Sequence, residues 1–294
     1  MTAALWDGGL AGVALVWVLG ALEPRAVAQE TAAEAARTEG AQAAEHRGDL
    51  DELAEEVANE LSDLVQIPLI HNFELGLGVN DDGLRYLLVT RPRIPVALPG
   101  GWLVVTNAVA RFVYVDDVVA PDGTGAGASV VGTGDGEIYS LITPPLGIDG
   151  LRVGAGPYVL FPAGNPQLGL LSCGVGPAVA LMWQGHGLVV SSHVTHGWSM
   201  VDDQTDYSLT TIFPSLTYVF DTGTSLVVQA EAVYEWHSGV WTVPLAAGVA
   251  QVVSLGPLLR MAFGIQGKWF VEHPVMGPDW GVRVITTLLF PELD

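Results

Sequence analysis

From Asn72 to residue 290 the chain alternates apolar and polar residues at period two and never returns to a helical period. This constrains the fold more than any other feature. Strand-like runs fall at 73–79, 84–98, 102–115, 137–146, 151–161, 173–183, 188–200, 207–220, 225–236, 240–254, 258–271 and 280–290. Most of these twelve runs are 10–14 residues long. That is about twice the usual globular strand and close to what a tilted strand needs to cross a bilayer. The connections also alternate. PGG (99–101), GIDG (147–150), QGHG (184–187), DTGT (221–224) and LGP (255–257) are tight, whereas 116–136, 162–172 and 272–279 are long. Short turns at one end, longer loops at the other and an even strand count describe a closed up-and-down membrane barrel.

The distribution of charge within the runs points the same way. A spanning strand must pair every backbone group internally and turns one face to hydrocarbon, where an arginine at mid-depth costs roughly 2–4 kcal/mol. Charges should therefore share one parity within a run. Arg85, Arg91 and Arg93 do so against Tyr86, Leu88 and Ile94, and Asn107 and Arg111 do so against Trp102, Val104 and Phe112. Gln229, Glu231 and Glu235 oppose Leu226, Val228 and Tyr234, while Arg260, Gln266 and Lys268 oppose Phe263, Ile265 and Trp269. In the last run, WGVRVITTLLF, Arg283 opposes Val282, Val284 and Leu288, and Trp280 and Phe290 stand at the two ends. Aromatics recur at other run ends (Trp102, Tyr114, Trp198, Tyr218, Trp236), as in the girdles of membrane barrels. A soluble sandwich also alternates, but its exposed face should carry far more charge.

Eleven Lys and Arg against 32 Asp and Glu leave a net charge of −21, the wrong sign for nucleic acid. A single cysteine, Cys173, excludes an intramolecular disulfide and any four-cysteine metal site; it reads as a small strand residue. No apolar run after Leu22 reaches the length of a spanning helix. NDDG (80–83) and GTGDGE (132–137) lack the later acid of a calcium loop and read as turns. GTGAGA (123–128) lacks the Lys-Ser/Thr of a phosphate loop. A Ser–His pairing near His193 and His196 has no acid or amide to orient it, so no enzyme is expected and no catalytic residue, metal or cofactor is implied.

The first 28 residues read as an export signal, with the apolar run Leu10–Leu22 followed by Ala26-Val27-Ala28, although Met1–Gly9 lacks a basic residue. Residues 29–66 are an acidic Ala/Glu-rich periplasmic linker, in which Leu53, Val57, Leu61, Leu64 and Val65 place a short amphipathic helix within about 50–65. The barrel is expected over 67–294.

Eight of the eleven basic residues lie in the runs, whereas most acids lie in the N-terminal segment and the loops. Arg91, Arg93, Arg111, Arg260, Lys268 and Arg283 are the expected cationic lining of the lumen, partly offset by Glu74, Glu231 and Glu235. Asn107, His193 and Gln266 complete the candidate solute path. Small barrels fill their interior with side chains and 16–18 strands give a wide channel; twelve falls between. A filled structural barrel and a selective pore both remain open.

Five stretches carry a family resemblance: SDLVQIPLIHNFELGLG (62–78), GPYVLFPAG (156–164), CGVGPAVALMWQ (173–184), WTVPLAAGVAQVVSLG (241–256) and GPDWGVRVITTLLFP (277–291). They resemble the Gram-negative outer-membrane barrels of the MetA-pathway of phenol degradation type, a transporter-like group. The resemblance implies an outer-membrane barrel with a passive-transport role and offers no catalytic residues. Leu160, Ile285 and Thr287 are apolar or small where that group would be more polar, which suits a less polar solute or a plugged barrel. The reading is an exported, all-β, antiparallel barrel with both termini periplasmic, passing a small, weakly polar or aromatic solute. Outer-membrane lipid, lipopolysaccharide and the barrel-assembly machinery are its expected partners. The alternative is a structural or assembly barrel that does not conduct.

Overall fold

The computed structural model describes residues 50–78, 80–118, 128–163, 165–200, 206–255 and 259–290. The export signal, most of the acidic linker and all but the last residue of GTGAGA lie outside the described residues. A helix, α1, covers residues 50–58. The strands are β1 (Val65–Leu77), β2 (Gly83–Thr90), β3 (Arg93–Leu98), β4 (Trp102–Val118) and β5 (Ala128–Thr133). They continue with β6 (Gly136–Thr143), β7 (Leu151–Phe161), β8 (Gly174–Gly185), β9 (Leu188–Ser199) and β10 (Ser208–Val219). The series ends with β11 (Thr224–Ala230), β12 (Ala232–Glu235), β13 (Val240–Ser254), β14 (Arg260–Glu272) and β15 (Trp280–Phe290).

Each strand pairs antiparallel with its neighbour, and β15 returns to β1 in an unbroken register from Val65↔Phe290 to Leu75↔Trp280. The sheet is therefore a closed barrel of twelve staves, which leaves no unpaired edge in the bilayer. Three staves are each interrupted once, giving β2/β3, β5/β6 and β11/β12. The interruptions fall at Arg91–Pro92, at Gly134–Asp135 and at Glu231. Pro92 lacks a ladder donor, and the Glu231 N–H still donates to its in-register partner Pro244 O at 3.2 Å. The register continues unchanged across the breaks at Arg91–Pro92 and Glu231 and shifts by one residue at Gly134–Asp135.

The twelve runs read from sequence match these staves, and β7, β13 and β15 match to the residue. Three boundaries differ most, the first being β1, which begins at Val65 rather than at residue 73. The segment 116–136 is not all loop: β4 continues to Val118, and β5 pairs with it from Phe112↔Thr133 to Val118↔Ala128. The β-branched pattern of ASVVGT favours that extension. At the other end α1 stops at residue 58 rather than near 65, because the Asn59 side-chain oxygen accepts the Leu61 N–H at 2.8 Å and turns the chain. Val65 onward is then needed to close the barrel against β15.

Outward residues are apolar and exposed, among them Val96, Leu181, Val228, Ile265 and Val284. Aromatics stand at the ends of this belt. Trp102, Trp183, Phe220 and Phe290 lie at the turn end; Trp198, Trp236, Trp269 and Trp280 lie at the loop end. The QGHG turn is a two-residue hairpin in which His186 (φ 56°) and Gly187 (φ 76°) both adopt positive φ, the geometry that matches the twist of its strands.

Candidate functional site

The interior has two unlike sides. From β4 to β9 much of it is apolar, with Arg111, Glu137 and His193 among the charged or titratable exceptions at the loop side: Val105, Leu141, Tyr158, Leu160, Ala180 and Met182 pack into one buried cluster that also takes in Leu61. Around β1, β2, β4, β11, β12, β14 and β15 it carries the charges.

Near the loop end Glu74 is fully buried and accepts hydrogen bonds from Lys268 Nζ and Arg85 Nε, both at 2.5 Å. One layer further in, Arg283 Nε donates to Asn72 Oδ1 at 2.8 Å, and Gln229 donates to Gln266 at 3.3 Å. At mid-depth Glu231 faces Arg91 at 3.7 Å and Arg283 at 3.6 Å. Both distances exceed hydrogen-bond length. Arg111 pairs with Glu137 and also donates to Asp135 O at 2.7 Å.

The helix and the turn after it close the barrel's turn end. Leu53, Ala54 and Leu64 bury against Val219, Val252, Ala262 and Leu289. Asn59 Nδ2 donates to Gln184 at 2.7 Å, and the Gly187 N–H donates to Glu55 at 3.1 Å. Arg93 donates to Asn59 O at 2.8 Å and Arg152 donates to Leu61 O at 2.6 Å. Glu60 reaches His193 Nδ1 at 2.8 Å. Burial pushes the Glu60 carboxyl up, but His193, Arg93 and Arg91 outweigh it and hold Glu60 below its ordinary value.

Two cavities among the described residues border these charges. A turn-side chamber of about 220 Å³ lies beneath α1, between Val57 and Ala58 on one side and Arg91, Arg93, Lys268 and Arg283 on the other. A loop-side chamber of about 300 Å³ is bounded by Tyr139, Tyr158, Leu160, His193, Asp135 and Glu137. The two share Arg91, Arg111 and Glu231, which form a waist between them.

Of the residues expected to line the solute path, Arg91, Arg93, Arg111, Glu231, Lys268 and Arg283 meet at these chambers. Gln266 lines the turn-side chamber and His193 the loop-side one. Glu74 is buried behind Lys268 as its counter-ion. Asn107 is buried opposite Arg93 in register and lines neither chamber. Arg260 has the inward parity but stands exposed at the turn-side rim, because the strand starts at that residue. Glu235 belongs to the β12–β13 hairpin, accepting the backbone N–H groups of His237 and Ser238. His196 faces outward, against Trp198 and Thr210.

Residue-by-residue reading missed Glu60, Asp135, Glu137, Tyr139 and Tyr158. Parity would have caught Glu137 and Tyr139, which alternate with Ile138 and Ser140 along β6. Nothing local could have placed Glu60, which belongs to the helical segment.

No family model and no curated protein matches the chain. Among solved structures it is similar to an outer membrane channel from Pseudomonas putida F1, with a TM-score of 0.56, 15% identity, and coverage of 78% of this chain and 96% of that one. The NanC porin follows at a TM-score of 0.49 and 11% identity, covering 78% of this chain and 100% of that chain. The beta domain of a Bordetella autotransporter gives 0.41 and 10%, with 76% and 99% covered. At these identities the first likeness is one of fold: this chain has the architecture of a twelve-stave membrane β-barrel.

Proposed function

We propose that this protein is an exported outer-membrane channel for passive passage of a small, weakly polar or aromatic solute, described here with α1 seated in its turn-side mouth. The observation that carries the reading is the pair of lumenal chambers meeting at Arg91, Arg111 and Glu231, with an apolar wall opposite. A barrel with only a structural role would gain nothing from loosely paired charges at its waist, since burying an ion without close partners is costly. The apolar belt with aromatic ends supports a bilayer location, and the first solved structure above is itself described as an outer membrane channel. The resemblance to the phenol-degradation barrels supports a passive-transport role, and the apolar or small residues Leu160, Ile285 and Thr287 suit a less polar solute.

A second reading has its own support. Leu61 and α1 close the turn end, and Leu141 and Met182 fill much of one side, as in a barrel that does not conduct. Planar-bilayer recordings of the folded protein, with and without residues 29–64, separate the two. Conductance that appears or grows on truncation supports a channel closed by its own N-terminal segment. Silence from both forms, each shown to be folded, overturns the channel reading.

A further inference from the structure

The turn-side chamber has a surplus of positive charge that the barrel does not neutralise. Arg91, Arg93, Arg111, Lys268 and Arg283 line it against Glu60 and Glu231 alone. Lys268 shares Glu74 with Arg85, and Arg111 takes Glu137. Arg91, Arg93 and Arg283 are then left with two carboxylates, of which Glu60 is already hydrogen-bonded to His193. The Nε groups of Arg91 and Arg93 are buried without a hydrogen-bond partner among the described residues. Arg91 meets Glu231 only at 3.7 Å, and its guanidinium lies 5.3 Å from the centre of the Phe213 ring. Buried guanidinium donors without close acceptors are expensive, and two of them two residues apart on one stave can be satisfied together by a planar oxyanion.

Apolar residues form much of the remaining wall of the same chamber, interspersed with amides and hydroxyls such as Gln66, Ser215, Thr217 and Gln229. Val57, Ala58, Ile70, Leu87 and Val89 line it beside the arginines, and Phe213 stacks on His193 with ring centres 4.9 Å apart. A bare inorganic anion would leave that half unused. A neutral aromatic would leave the arginine donors unmet.

We propose that the turn-side chamber is a binding site for a small monocarboxylate with an apolar or aromatic body, its carboxylate at Arg91 and Arg93 and its body between Phe213 and the helix. This rests on the channel reading for its biological meaning and narrows the solute to an organic anion.

The test is equilibrium binding to the full chain folded in detergent micelles, read by calorimetry and by the shift in melting temperature. Benzoate is the probe, with benzamide as its neutral isostere and inorganic phosphate as the bare anion. Benzoate should bind saturably, and benzamide and phosphate at least about tenfold more weakly, as expected for the loss of one charged hydrogen bond or of the apolar contact. Arg91→Gln/Arg93→Gln should lower benzoate affinity by at least about tenfold, while Arg260→Gln, which removes the same kind of charge at the exposed rim, should leave it unchanged. If the double variant does not fold, Arg93→Gln alone should weaken binding in the same direction. Equal binding of benzamide or phosphate, no saturable benzoate binding, or unchanged affinity in a folded Arg93 variant would overturn the site. Conductance distinguishes the two readings: a conducting barrel that ignores benzoate loses only this site, whereas a silent barrel that binds it loses only the channel.

Discussion

Glu60 hydrogen-bonds His193 at 2.8 Å across 133 residues of sequence, tying the segment that leaves α1 to the inner wall of β9. The partners come from chemically distinct parts of the chain, an acidic helical stretch and an alternating strand. Arg93, holding the carbonyl of Asn59, makes the neighbouring contact. Together they fasten this segment to the inner wall.

Acid should therefore loosen that attachment. Glu60 is held below its ordinary value of 4.5, so its contribution is fully present above about pH 4.5 and is lost as pH falls through the lower, folded value. Proteolysis of residues 50–64 in the folded barrel should be slow at neutral pH and accelerate only below that range. Glu60→Gln should cost about 1–3 kcal/mol of docking and remove the acid dependence. An acid-dependent loosening that persists in Glu60→Gln would assign it to other groups.

Leu61 is fully buried in the apolar cluster of the wall. Leu61→Asp should undock the segment without unfolding the barrel, whose ladder does not include it. The expected result is higher open probability in single-channel recordings with unchanged heat-modifiable mobility on gels. A variant that conducts no better than the parent would mean that the mouth is not where flow is limited.

Glu74 compensates Lys268 and Arg85 at once, and its side chain is 1% exposed. Glu74→Gln should destabilise by about 3–5 kcal/mol, the range for breaking a buried pair from one side. Urea unfolding in liposomes measures it. A loss below about 1 kcal/mol would show that water reaches Lys268 in the folded barrel.

Ile265 and Gln266 are adjacent and face opposite ways, Ile265 being 55% exposed and Gln266 buried. Ile265→Arg should cost roughly 2–4 kcal/mol in a bilayer, and Val228→Arg, also outward, should behave alike. In a water-soluble barrel the same exposed substitutions would be nearly neutral, so the comparison reports what surrounds the outer face.

The closed barrel is legible in the sequence because period-two alternation and connection length are local. A strand that must turn one face to lipid cannot hide a charge there, so Arg111, Lys268 and Arg283 were assigned inward from parity alone. Strand ends were harder to place. The extension of β4 and β5 past residue 116 depends on cross-strand pairing, and the end of α1 depends on one Asn59 side-chain contact.

The pairing of the interior charges could not be read the same way. Parity says which residues point inward but not at what depth, because depth follows from the stagger between staves. Glu74, Lys268 and Arg85 meet because β1 lies beside β15 and β2, and Lys268 is 194 residues from its partner. The waist of Arg91, Arg111 and Glu231 brings together residues from three staves, Glu231 lying far from the other two in sequence. Glu60 enters the lumen only because the helix has a closed barrel to dock into. Alternation by itself determined the wall of this protein and which side of it meets lipid, since hydrophobic burial acts residue by residue. Only the tertiary structure decided which charges meet inside and what closes the mouth, since those contacts join residues far apart in sequence.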